Sequence, residues 1–210
     1  MPIDRDRDPL EFGRVLALSD AIFGVAMTLL VVSIVIPPGL SSQGFTSAVI
    51  ELIPRVAIMA LSIAVAGGAW ADHRHLFGMV QVIDSGLLAR NLVLLGLVAL
   101  IPLPHQVLGL YPQEPLAYVL YALVLGAVNA MQVLMERHVR RRNLLRTPVL
   151  TSAAQLEAAR GLLGAIGFGV SIPLAFLLGP WTPLVWLAIL PLDRLLVLRA
   201  RLHRPAASAE

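Results

Sequence analysis

The 210-residue chain is 58% hydrophobic and only 14% charged, and its mean hydropathy of +0.81 lies outside the range of a water-soluble domain of this length. It has a formal net charge of +3 and no cysteine, which excludes disulfides, thiol nucleophiles and Cys-ligated metals. The composition describes an all-α polytopic membrane protein.

Crossing a hydrocarbon core of roughly 30 Å takes about 20 apolar residues at about 1.5 Å each, and six runs of that kind follow one another. The first, Gly13 to Ile36, is too long for a signal-peptide core and precedes no small-x-small cleavage site, so it is expected to stay in the mature protein. It opens with Arg14, Ser19 and Asp20. Val25, Thr28, Leu29 and Val32 then fall along one stripe of the helix. Spacing alone suits a lipid-facing, a core-facing or a pore-lining stripe. An ionisable group costs about 2.5–3.5 kcal/mol at mid-span and less near the interface, so Asp20 needs a partner or water. Arg14 lies about 240° away around the helix and cannot be that partner.

The second run, Ala48 to Trp70, contains Arg55 four residues after Glu51, a plausible helical ion pair. Ala60, Ala64 and Gly68 form a small-residue face that suits close packing within a subunit or between subunits. Trp70, His73 and Phe77 share a face at the end of this run. Trp and His are common interfacial anchors, yet His73 is also the natural hydrogen-bond partner for Asp20 or Ser19, and its imidazole would make that contact pH-sensitive. His73 and His75 are two apart, on different faces, so a metal site is disfavoured.

The third run, Ser85 to Leu108, begins near Asn91; the fourth, Leu116 to Met135, contains Asn129; both amides read as interhelical hydrogen bonds. Pro54, Pro102, Pro104, Pro173 and Pro191 predict kinks in or near spans. Between the fourth and fifth runs, Ser152 and Gln155 resemble a capping box, so the fifth helix should start before its apolar run, Gly161 to Leu178. Ala165 and Gly169 mark another small-residue face. The sixth run, Trp181 to Leu198, forms a tight hairpin with the fifth through Gly179–Pro180. Residues 1–204 read as one six-helix membrane domain and 205–210 as a disordered tail.

All sixteen basic residues are arginine, and they cluster on alternate connections. Arg5, Arg7 and Arg14 precede the first run, Arg74 and Arg90 flank the second connection, Arg137 to Arg146 fill the fourth and Arg194 to Arg204 follow the sixth. By the positive-inside rule both termini are cytoplasmic. The basic balance is read as topology, with Arg140 to Arg142 as an anchor and no nucleic-acid binding.

The motif Arg14-Val-Leu-Ala-Leu18-Ser19-Asp20, followed by Thr28-Leu29, resembles the R-x-x-x-F-S-D signature of the transmembrane protein 175 family of potassium channels. The likeness extends to Trp70, His73, Phe77, Asn91 and Pro102; Leu18 departs from the signature phenylalanine. The resemblance implies a homotetramer in a prokaryotic cell membrane, with the first helices around a central pore. It also implies a hydrophobic constriction at Val25 and Val32, with Thr28 between them, in place of the TVGYG filter, which this chain lacks. It implies potassium and other monovalent cations as permeating ions, no cofactor and no enzymatic activity. Arg14, Ser19, Asp20, Trp70, His73 and Asn91 would hold the helix ends in register. The competing readings are a proton-coupled transporter using Asp20 and His73 and an intramembrane enzyme, for which converging acid, base or ligand residues are scarce.

Overall fold

A computed structural model describes residues 2–32, 34–147 and 151–187, with the side chains of 151–162 outside that description. The chain forms β1 (Ile3–Asp4), α1 (Pro9–Val32), α2 (Ser42–Met79), β2 (Val82–Ile83), α3 (Ser85–Ala99), α4 (Pro102–Leu110), α5 (Pro115–Arg141) and α6 (Thr151–Leu178). Among the described residues, five helical segments are long and apolar enough to cross a membrane. The chain is thus a multi-pass membrane protein. The last of these segments runs from Leu163 to Leu187. Most of the expected sixth run, together with Pro191 and the 205–210 tail, lies outside the described residues.

Local chemistry sets the helix boundaries. Asp4 Oδ1 accepts from the Asp6 and Arg7 amides at 2.9 and 3.2 Å, turning the chain into α1, and Pro9 occupies the first turn, where its missing N–H is harmless. Gly39 at φ +79° makes the turn before α2, and the Ser41 hydroxyl caps that helix by accepting from the Gly44 amide at 3.2 Å. Pro54 and Pro173 stay inside α2 and α6 without ending them. The third run does break, at Leu100–Ile101, where Pro102 starts α4. Asn143 at φ 55° closes α5 as a left-handed cap. α6 starts at Thr151, ahead of the fifth apolar run, and Ser152 falls inside the helix instead of at its cap.

The core lies between α1, α3 and α5. α1 contributes Phe12, Phe23, Ala26 and Leu30; α3 contributes Leu87, Leu94, Leu95 and Val98; α5 contributes Tyr118, Tyr121, Leu125 and Val128. In lipid this burial reflects packing density more than the hydrophobic effect. Trp186 closes the core beside α5 and α6, stacked on Tyr121 at 4.6 Å and donating to Ser171 Oγ at 3.0 Å.

Three chain segments are knitted at the arginine-rich end. β1 pairs antiparallel with β2, the Arg5 amide donates to Gln81 O, the Gln81 amide to Leu144 O and the Arg146 amide to Met79 O. Arg5 donates to Phe77 O in the last turn of α2, a carbonyl that also accepts from the Val80 amide, and its guanidinium lies 4.4 Å above the Phe12 ring.

Several sequence expectations meet a different arrangement. Asn129 bonds its own helix, donating to Leu125 O at 2.9 Å. Its carbonyl sits so near Gly164 that a Cβ there would fall 2.6 Å away, so close packing replaces the interhelical bond. Ala60, Ala64 and Gly68 are exposed, and among the described residues no other element packs on this face. Among the described residues, Arg55 has no ion-pair or hydrogen-bond partner, and the expected pair with Glu51 does not form.

Candidate functional site: the first helix and its buried polar network

One face of α1 is buried and the opposite face is bare. Phe12, Ser19, Phe23, Ala26 and Leu30 recur at helical spacing and are sealed in the core. Val25 is 57% exposed, Leu29 46% and Val32 70%, and Thr28 is exposed between them. Among the described residues, no other element covers this stripe. The Thr28 hydroxyl donates to Val25 O at 2.8 Å. Its single proton is therefore used, and its oxygen lone pairs remain as acceptors.

Ser19, Asn91 and His73 meet on the buried side, one from each of α1, α3 and α2. The Ser19 hydroxyl donates to Val15 O at 3.0 Å and accepts from Asn91 Nδ2 at 3.1 Å. The Asn91 carbonyl oxygen lies 2.8 Å from His73 Nε2. An amide oxygen only accepts, so His73 carries its proton on Nε2, and the three side chains form one donor chain running from α2 to the α1 backbone. The His73 ring is held between Phe77, at 4.5 Å, and Phe23, at 5.6 Å. All three polar groups are buried, and each is satisfied, as burial away from water requires.

Asp20 faces away from this network and accepts from Trp70 Nε1 at 2.8 Å. Trp70 in turn carries the Arg74 guanidinium 5.6 Å from its ring centroid. Two partner expectations are therefore corrected. His73 bonds neither Asp20 nor Ser19 directly, because the longer Asn91 amide spans the gap to Ser19 and the indole takes Asp20. Arg14 lies apart, exposed and paired with Glu11 at 3.0 Å. Leu18, at the signature phenylalanine position, is 47% exposed, and the rings against His73 come from Phe23 and Phe77. Phe23, four residues after Ser19 on the same face, was legible by spacing and was missed.

The family described as "Endosomal/lysosomal potassium channel TMEM175" matches residues 14–102, the stretch that contains every residue of this network. A potassium channel of Streptomyces collinus is 33% identical over 177 residues, covering 82% of this chain and 86% of that protein. The chain belongs to the TMEM175 family. A crystal structure of a lysosomal potassium-selective channel TMEM175 homolog from Chamaesiphon minutus superposes with a TM-score of 0.74 at 26% identity, covering 90% of this chain and 97% of that one. The human endosomal/lysosomal proton channel TMEM175 is 25% identical over 122 residues, and the match covers 24% of its length. TMEM175 is a family of channels, so the chain is a transport protein and not an enzyme.

Proposed function

We propose that the chain is a potassium-permeable cation channel in which the bare stripe of α1 faces a central axis shared by four copies. The observation that carries this reading is the division of α1 into a sealed face and an uncovered one that bears Val25, Thr28, Leu29 and Val32. Relatives named as potassium channels support potassium as the permeating ion. The uncovered Ala60, Ala64 and Gly68 face supports a homotetramer, since small residues allow close helix approach between subunits. Residues 1–204 act as one such unit, with both termini cytoplasmic in a prokaryotic cell membrane.

Rings of valine and leucine close the pore by excluding water, and a small rotation of α1 raises or lowers that dewetting barrier. Each change of about 1.4 kcal/mol in the barrier alters conductance about tenfold. Thr28 offers a ring of hydroxyl lone pairs to a partly dehydrated cation. Ser19, Asn91 and His73 hold the pore helix in register by their bonds and Trp70 does so by fixing Asp20, while Arg14 pairs with Glu11 within the helix itself. Among monovalent cations, selectivity for potassium over sodium then depends on the Thr28 ring. Recording single channels in planar bilayers with potassium on one side and sodium on the other tests this. Thr28→Val is expected to lower the potassium preference, and an unchanged reversal potential would remove Thr28 from the pathway.

The proton-coupled transporter reading requires Asp20 and His73 to exchange a proton. Trp70 occupies Asp20 and Asn91 occupies His73, so this arrangement favours the channel.

A further inference from the structure

A second buried polar cluster lies toward the other end of the helices, outside the Ser19–Asn91–His73 network. Ser62 of α2, His105 of α4 and Tyr121 of α5 are all buried. Ser62 Oγ lies 2.8 Å from Ile58 O, 2.7 Å from the Tyr121 hydroxyl and 3.1 Å from His105 Nδ1. Serine has one proton, and the Ile58 carbonyl can only accept. The Tyr121 hydroxyl and His105 Nδ1–H therefore both donate to Ser62. That leaves Nε2 as the imidazole nitrogen with no protein partner among the described residues.

His105 also lines a cavity of about 40 Å³ whose wall includes Ile34, Arg55, Ile58 and Gln106. Arg55 is half-buried and unpaired among the described residues, although a cation within a span ordinarily finds a counter-charge or marks an ion site. α4 packs against α1, α2 and α5. Among the described residues, the titratable or charged groups these elements bring to the cluster are Arg55 and Tyr121, and no carboxylate lines the cavity. Protonation of Nε2 would place a second cation beside Arg55. An incoming anion would compensate both.

We propose that this cavity is a binding site for a small inorganic anion of halide size, held by Arg55 and Gln106 and taken up together with a proton on His105 Nε2. A water needs about 10–15 Å³ of such space, so the volume suits one halide ion with a water or two and is small for a phosphate headgroup. Binding and protonation are linked, so each strengthens the other. Because Ile34 follows α1 directly, occupancy would fasten the far end of that helix. The inference does not depend on which cation the channel passes.

The test uses the full-length purified protein in two independent measurements. Crystals soaked in potassium bromide should show an anomalous bromide peak between Arg55 and His105. Thermal unfolding in potassium bromide against potassium gluconate, at equal ionic strength, should give a Tm higher by roughly 2–4 °C once bromide reaches about five times its dissociation constant. The shift should be larger on the acid side of neutrality, disappear in Arg55→Gln, persist in Arg55→Lys and lose its pH dependence in His105→Asn. Absence of bromide from the cavity, a lipid phosphate or a carboxylate of a second copy in its place, equal Tm in the two salts, or a shift indifferent to both pH and Arg55→Gln would overturn the proposal. The wild-type bromide measurement decides the matter even where a variant fails to fold.

Discussion

Asn91 joins three helices at one side chain. Replacing it with alanine orphans His73 Nε2–H and removes the donor to Ser19, two losses inside the buried core. The expected cost is about 1–2 kcal/mol, near the top of the range for intramembrane hydrogen bonds. It should appear as a lower Tm in detergent, with Asn91→Asp and Asn91→Ala separating shape from bonding. A stability equal to wild type would remove the bridge from the account. Gly86 offers a second residue-scale prediction. A Cβ there would lie 2.7 Å from His138 Cε1 and 2.9 Å from Nε2, and the ring cannot retreat while it bonds Asp84. Overpacking costs about 1–3 kcal/mol against a helix-propensity gain of up to about 1 kcal/mol. Gly86→Ala should therefore lower Tm by nearly as much as His138→Ala, with the two effects less than additive in the double variant.

At the scale of elements, Asp84 joins the start of α3 to the end of α5. Its carboxylate accepts from the Leu87 amide at 2.7 Å and lies 2.8 Å from His138 Nε2. Burial alone would raise its pKa, but the His138 bond, the Leu87 amide and the nearby Arg142 charge outweigh burial and hold the carboxyl below its ordinary value of 3.8. A depressed carboxyl stabilises the fold fully above its ordinary value, and that contribution is lost as pH falls through the folded value. Wild-type Tm should therefore fall more steeply below about pH 4 than that of Asp84→Asn, which keeps a capping oxygen but loses the charge. Parallel acid curves would rule this out.

The sequence made the long helices legible because apolar runs of membrane length are a strong signal, and it made Ser19, Asn91 and His73 legible because buried polar groups in such runs demand partners. It did not reveal that Asn91 stands between His73 and Ser19, since reach between helices depends on their packing distance and not on spacing within any one of them. The knot of β1, β2 and residues 144–146 was equally hidden. Two-residue strands have no periodicity to read, and only the folded chain brings Arg5 onto Phe77 O. Asp20 with Trp70 was legible as a neighbourhood, but its bond was not.

Across the whole molecule, the α1 stripe and the small-residue face of α2, both uncovered among the described residues, are the surfaces that the proposed tetramer would close. A closed cyclic assembly satisfies both at once. The native mass in detergent should be about four times that of the 22.6 kDa chain, and Gly68→Leu, a bulky side chain on the α2 face, should weaken that assembly. The most direct test of the central claim is potassium efflux from vesicles reconstituted with the protein and with Val25→Asn. The account predicts downhill potassium flux that does not saturate as a carrier would and that rises about tenfold when the polar side chain lowers the dewetting barrier by about 1.4 kcal/mol. Vesicles that hold their potassium gradient with the folded protein present, or equal flux from Val25→Asn and wild type, would contradict it.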